Sequence, residues 1–150
     1  MNKTCYKVCL QRKGVCFDQV SDSNTEFVSA VGHELPTEFV LGYQIGQTTT
    51  PKVGRIFVFD SQRNAERFLS ILGYNCEHRY VRVIFEGLAE NVGAPKYLVD
   101  SYKVTNDMKD FWQTKKRHRA INHWRAKHVP KGTLTCQAFT PYKEVFRYQR

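Results

Sequence analysis

The residues from Arg55 to Gly73 constrain the fold most, because the signals of a strand, a helix start and a helix stop follow one another there. The run Arg55–Phe59 is rich in β-branched and aromatic residues, which favour strands. Ser61 is a suitable N-cap, and Gly73 is a suitable residue just past a helix end. The apolar residues between them recur at helical spacing and share one face, namely Ala65, Phe68, Leu69 and Leu72. This stretch therefore predicts a strand followed by a capped amphipathic helix over residues 61–72.

Alternation of polar and apolar residues predicts most of the remaining strands. The period of two over Thr4–Leu10 is typical of a half-buried strand, and the sequence Lys13-Gly14 followed by Val15–Phe17 predicts a hairpin after it. Further strands are expected at 26–31, at 78–86 with Gly87 ending the strand, at 97–99, and at 133–139 before a short aromatic tail.

Residues 107–128 contain neither Gly nor Pro, and their apolar residues recur near helical spacing. A basic amphipathic helix, or two shorter helices, is expected there, and Pro130 and Gly132 would end it. The fold class predicted for the chain is α+β, with a mixed or mostly antiparallel sheet, one short capped helix (61–72) and one basic amphipathic helical segment (107–128). A length of 150 residues predicts a single α+β domain over 1–150.

Composition and cysteine content indicate the cellular compartment expected for this chain. No run approaches the roughly 18 apolar residues of a membrane span, and the first residues lack the apolar stretch of a secretion signal. The five cysteines are an odd number, which favours reduced, mostly buried thiols over a disulfide framework. Their spacing and that of the histidines match no zinc motif, so no metal is expected. These features predict a cytoplasmic protein, in the host cytoplasm if it is viral, without a membrane partner.

Positive charge is concentrated in one part of the chain. The net charge is +9, yet residues 111–143 hold eight Lys and Arg and no Asp or Glu. The rest of the sequence has fifteen basic and fourteen acidic residues and is therefore nearly neutral. A basic C-terminal segment at 111–143 therefore predicts a local positive field that attracts polyanions.

The densest part of this segment mixes cations with aromatic rings. That mixture is suited to backbone phosphates and to stacking on bases. The predicted nucleic-acid or phosphate-binding residues are Lys115, Lys116, Arg117, Arg119, Trp124, Arg125 and Lys127. Two other interpretations remain open: a helix whose outer face carries the cations only for solvation, and a surface that binds an acidic protein partner.

The segment Gly54-Arg55-Ile56-Phe57-Val58-Phe59-Asp60-Ser61, with Ala65 and Phe68 after it, resembles a short part of ADP-ribosyltransferase-type domains. In that family the region lines the dinucleotide pocket and a later strand presents a catalytic Glu. The resemblance implies NAD as cofactor and Tyr43 and Glu86 as catalytic residues, with Tyr80 as a further candidate. The size and basic charge of the chain also resemble those of small phage or mobile-element proteins.

Known catalytic motifs are missing from the sequence, including the Gly-x-Ser-x-Gly elbow, the Walker loop and His-Glu-x-x-His. The first interpretation is therefore a non-catalytic protein that presents a basic, aromatic-containing surface to nucleic acid or a phosphorylated nucleotide, without a cofactor. The alternatives are an ADP-ribosyltransferase-like enzyme acting on NAD and a small accessory protein that binds an acidic protein partner.

Overall fold

A computed structural model describes residues 1–12, 27–29, 41–72, 80–94 and 130–148, and these form seven strands and one helix. Every strand pair among them is antiparallel, which confirms the predicted mostly antiparallel sheet with a helix against it. The elements in chain order are β1 (Lys3–Arg12), β2 (Phe27–Ser29), β3 (Gly42–Tyr43), β4 (Ile56–Phe59), α1 (Gln62–Leu72), β5 (Tyr80–Glu90), β6 (Thr133–Cys136) and β7 (Ala138–Tyr148).

Strand β1 is the centre of the sheet. Along one edge it pairs with β5 over its whole length, from Lys3 opposite Ala89 to Arg12 opposite Tyr80. Along the other edge it pairs with β4 at Tyr6 and with β2 further on, and β2 in turn pairs with β3.

The chain itself joins the two outer strands of this sheet. β4 pairs with β6, β5 pairs with β7, and only Gln137 separates β6 from β7. The path β1–β4–β6–β7–β5–β1 is therefore a circuit of four antiparallel strand pairs and one chain connection, which runs from β6 to β7 through Gln137.

Alternation along the strands divides the core into two layers. On one face of β1, Cys5 and Cys9 pack inside the circuit with Val83 and Phe85 of β5 and with Phe139 of β7. On the other face, residues of β1, β4 and β5 pack against the apolar side of α1, and this second cluster consists of Val8, Leu10, Phe59, Ala65, Phe68, Leu69 and Ile84.

The helix begins as its sequence predicts. Ser61 Oγ accepts a hydrogen bond of 3.2 Å from the backbone N–H of Asn64, and Ser61 O accepts one of 3.1 Å from Ala65. These contacts confirm Ser61 as the N-cap, because the first N–H groups of a helix have no partner within it. In the part of the chain described, no helix has the length and hydrophobicity needed to cross a membrane.

Two predicted strand ends were wrong. Gly87 does not end the strand at 78–86, because β5 continues through it to Glu90 with a change of register against β7. The predicted aromatic tail after residue 139 is instead part of the long strand β7. The predicted hairpin at 13–17, the strand at 97–99, Gly73 and the helical segment at 107–128 lie outside the described residues.

Candidate functional site

The predicted phosphate-binding residues, from Lys115 to Lys127, lie outside the described residues. Two other cations of the basic segment are described. Lys131 is exposed on the turn that precedes β6, whereas Lys143 on β7 lies 3.9 Å from a carboxylate oxygen of Glu86. The charge of Lys143 is therefore partly balanced by the body of the protein.

The described residues that flank 95–129 form hydrogen bonds with β6 on both sides of that range. Gly93 exchanges two backbone hydrogen bonds with Thr135, of 2.8 and 3.1 Å, and Thr135 Oγ1 donates to the Ala94 carbonyl at 2.9 Å. Pro130 O accepts from the N–H and from the hydroxyl of Thr133, at 3.1 and 2.6 Å. Ala94 and Pro130, the described residues on the two sides of 95–129, therefore both lie beside the same short strand.

A single arginine reinforces the first of these two attachments. Arg55 Nε donates to Thr135 Oγ1 at 3.0 Å, and its Nη2 donates to Thr135 O at 3.3 Å and to the Asn91 carbonyl. A Cβ added to Gly93 would lie 3.2 Å from the same guanidinium, so a side chain there would require Arg55 to move slightly. The Arg55 side chain thus ties the end of β5 to β6.

The structure does not bring Tyr43 and Glu86 together. Tyr43 is buried in the cluster inside the circuit, where its ring meets Phe139 at 6.2 Å between centroids. Glu86 is paired across the strands with Tyr6, which packs on the helix-covered cluster, and therefore points to the opposite face. Its carboxylate raises the pKa of Tyr6, a smaller effect than that of burial. The side chain of Tyr80 is not among those described.

Lys7 is a buried cation that the sequence interpretation missed. It is 5% exposed, its Nζ donates to the Phe57 carbonyl at 2.9 Å, and the same atom lies 5.5 Å from the centroid of the Tyr43 ring. Burial lowers the pKa of Lys7, because a charged ammonium loses its hydration inside the protein. The alternation of β1 indicates only the face of Lys7, which it shares with Cys5 and Cys9.

Three free cysteines, Cys5, Cys9 and Cys136, are buried in the same cluster, as the sequence predicted. Burial raises the pKa of Cys9 and of Cys136 to about 12, against an ordinary value of 9.0. Both stay protonated near neutrality, and a protonated thiol is a poor nucleophile and a poor metal ligand. The described part of the chain holds no group of three or more metal-ligating side chains. The three thiols are part of the buried layer that also contains Tyr43 and Phe139.

Comparisons with protein-family models, with curated proteins and with solved structures find no match to this chain.

Proposed function

We propose that this chain is a non-catalytic binding protein that presents a basic, aromatic-containing surface to nucleic acid or to a phosphorylated nucleotide. The observation that carries the proposal is the charge distribution, with eight basic and no acidic residues over 111–143. A surface helix that is only solvated commonly mixes both signs of charge, because opposite charges three or four residues apart stabilise it. A segment without Asp or Glu is better suited to binding a partner that is itself negatively charged.

The attachment of Ala94 and Pro130 to β6 supports this proposal. A rigid body that holds both ends of a polypeptide segment limits where the side chains between those ends can reach. We expect the cations from Lys115 to Lys127 to contact phosphates, and Trp124 to stack on a base.

Salt dependence of binding tests the proposal. A labelled single-stranded oligonucleotide and a labelled nucleoside triphosphate are titrated with the protein at several salt concentrations between roughly 50 and 200 mM. The logarithm of the binding constant should fall linearly with the logarithm of salt concentration. The triple variant Lys116→Gln, Arg117→Gln, Arg119→Gln should bind more weakly, with a slope smaller by about 2 for a single strand.

A matched triple variant controls for the overall loss of charge. Lys52, Arg63 and Arg67 are exposed on the described body, and their replacement by Gln removes the same charge at other places. This control should keep at least half of the wild-type affinity. Binding that is insensitive to salt, or that falls equally in both triple variants, would contradict the proposal.

A further inference from the structure

Arg82 is a buried guanidinium without a counter-charge in the described part of the chain. Arg82 is 5% exposed, and its Nε atom is buried without a hydrogen-bond acceptor among the described residues. It lies on β5 between Leu10 of β1 and Tyr148 of β7, to which it is paired across the strands. The surroundings are apolar, since Leu10 and the neighbouring Ile84 both belong to the helix-covered cluster.

Two other cations described on β7 differ from Arg82. Arg147 Nε donates to Glu144 at 2.7 Å, and Lys143 lies 3.9 Å from Glu86. Among the described residues, the one charge-related contact of Arg82 is with an aromatic ring: its guanidinium carbon is 5.9 Å from the centroid of Tyr148. Burying a cation without an anion is costly, because the lost hydration is not replaced.

Tyr148 connects this buried cation to the surface. It is 38% exposed and is the last residue of β7, so its ring contacts the guanidinium and also faces solvent. A guanidinium binds the oxygens of a phosphate through parallel N–H groups, and an exposed tyrosine ring can stack on a base. The two side chains thus offer the two contacts that a nucleotide needs.

We propose that Arg82 and Tyr148 form a phosphate subsite, in which the guanidinium binds a phosphate group and the ring stacks on the attached nucleoside. The phosphate group belongs either to a free nucleotide or to a nucleic-acid strand. This inference rests on the proposed function, because it assigns a second contact to the same class of ligand. It concerns other residues, since neither Arg82 nor Tyr148 belongs to the cluster between Lys115 and Lys127.

The test uses the full chain with three probes: inorganic phosphate, adenosine monophosphate and a single-stranded oligonucleotide. Calorimetry measures affinity, and the thermal unfolding midpoint is recorded with and without each probe. Arg82→Met should weaken the binding of adenosine monophosphate by roughly ten- to a hundred-fold, the usual effect of losing hydrogen bonds to a charged group. Its unliganded midpoint should stay the same or rise, because the variant removes a buried cation that has no carboxylate partner among the described residues.

Two further variants make the result specific. Arg147→Met is the matched control, because Arg147 precedes Tyr148 on the same strand but already has a carboxylate partner, and its affinity should change less than about two-fold. Arg82→Lys keeps the charge and most of the volume of the side chain. It therefore provides a second test of the subsite if Arg82→Met does not fold. It should still weaken binding by roughly ten-fold, since an ammonium lacks the planar pair of donors.

The outcomes separate this inference from the proposed function. Unchanged affinity in Arg82→Met or in a folded Arg82→Lys, or no binding of any probe by the wild type, overturns the subsite. If the Lys116, Arg117, Arg119 triple variant loses oligonucleotide binding while Arg82→Met keeps all binding, the proposed function stands and the subsite does not. A stronger effect on adenosine monophosphate than on the oligonucleotide identifies a free nucleotide as the ligand, and the reverse identifies a nucleic-acid strand.

Discussion

Lys7 shows how a long polar side chain is accommodated within an apolar layer. Its aliphatic stem packs among the buried residues, and its nitrogen reaches the Phe57 carbonyl on β4 and the face of the Tyr43 ring. The alternation of β1 indicates the face on which Lys7 lies. Its depth is not readable from β1 alone, because it depends on strands that pair with β1 from distant parts of the chain.

The stability of the protein should depend on pH through Lys7. The pKa of Lys7 is lowered in the folded state, so between that lowered value and the ordinary 10.5 the folded protein binds fewer protons than the unfolded chain. Stability therefore rises with pH across this window, by at most about 1.4 kcal/mol per pH unit. Lys7→Met should lack this rise, as measured by urea unfolding in small pH steps from neutrality to the ordinary thiol pKa of 9.0.

Lys3→Met is the matched control for this experiment. Lys3 is on the same strand and in the same alternation as Lys7, but it is exposed. Its variant should keep the pH dependence of the wild type. Equal slopes in the wild type and in Lys7→Met would show that Lys7 does not cause the dependence.

At the scale of the elements, the pairing of β5 with β7 depends on Gly87. The register between the two strands shifts on either side of the segment Phe85–Glu86, and Gly87 follows the second shift. A Cβ at Gly87 would lie 2.7 Å from Phe139 Cζ and 2.8 Å from Pro141 Cα, closer than real contacts allow. The glycine was interpreted from the sequence as a strand end, because a strand stop and a bulge both favour glycine.

Gly87→Ala should destabilise the protein by about 3 kcal/mol, since the added methyl group forces β7 and the ring of Phe139 to move. Chemical unfolding measures the loss, and hydrogen exchange should show faster exchange of the β7 amides. Gly46→Ala is a useful comparison, because Gly46 has a φ of 82° but nothing within 4 Å of an added Cβ. That variant should lose only about 1 kcal/mol from backbone strain. Equal losses in the two variants would contradict a packing role for Gly87.

At the scale of the molecule, local signals and long-range contacts differ in how far the sequence reveals them. The cap at Ser61, the amphipathic face of α1 and the alternation of β1 are local, and all three were predicted correctly. The pairings of β1 with β5 and of β4 with β6 join residues far apart in sequence, and local patterns carry no information on such partners. The same holds for Arg55 and Arg82, whose significance comes from contacts with distant strands.

Arg55→Met should loosen the attachment of the segment Asn91–Ala94 to β6. The variant removes hydrogen bonds to Thr135 and to the Asn91 carbonyl, at a cost of about 1–3 kcal/mol. Hydrogen exchange of the Gly93 and Thr135 amides should become faster, because these two residues exchange the backbone bonds nearest to Arg55. Arg63→Met, on the exposed side of α1, should change neither stability nor exchange there, and equal effects of the two variants would contradict the role given to Arg55.

The attachment of Ala94 and Pro130 to one strand also affects the energetics of recognition. Bringing Ala94 and Pro130 close together costs conformational entropy. The protein loses that entropy when the sheet folds, before any ligand binds. A ligand that contacts side chains between these points therefore does not have to supply that part of the free energy. Under the proposed function, the affinity for a phosphate-bearing ligand should therefore be higher than that of a linear peptide with the sequence of residues 95–129.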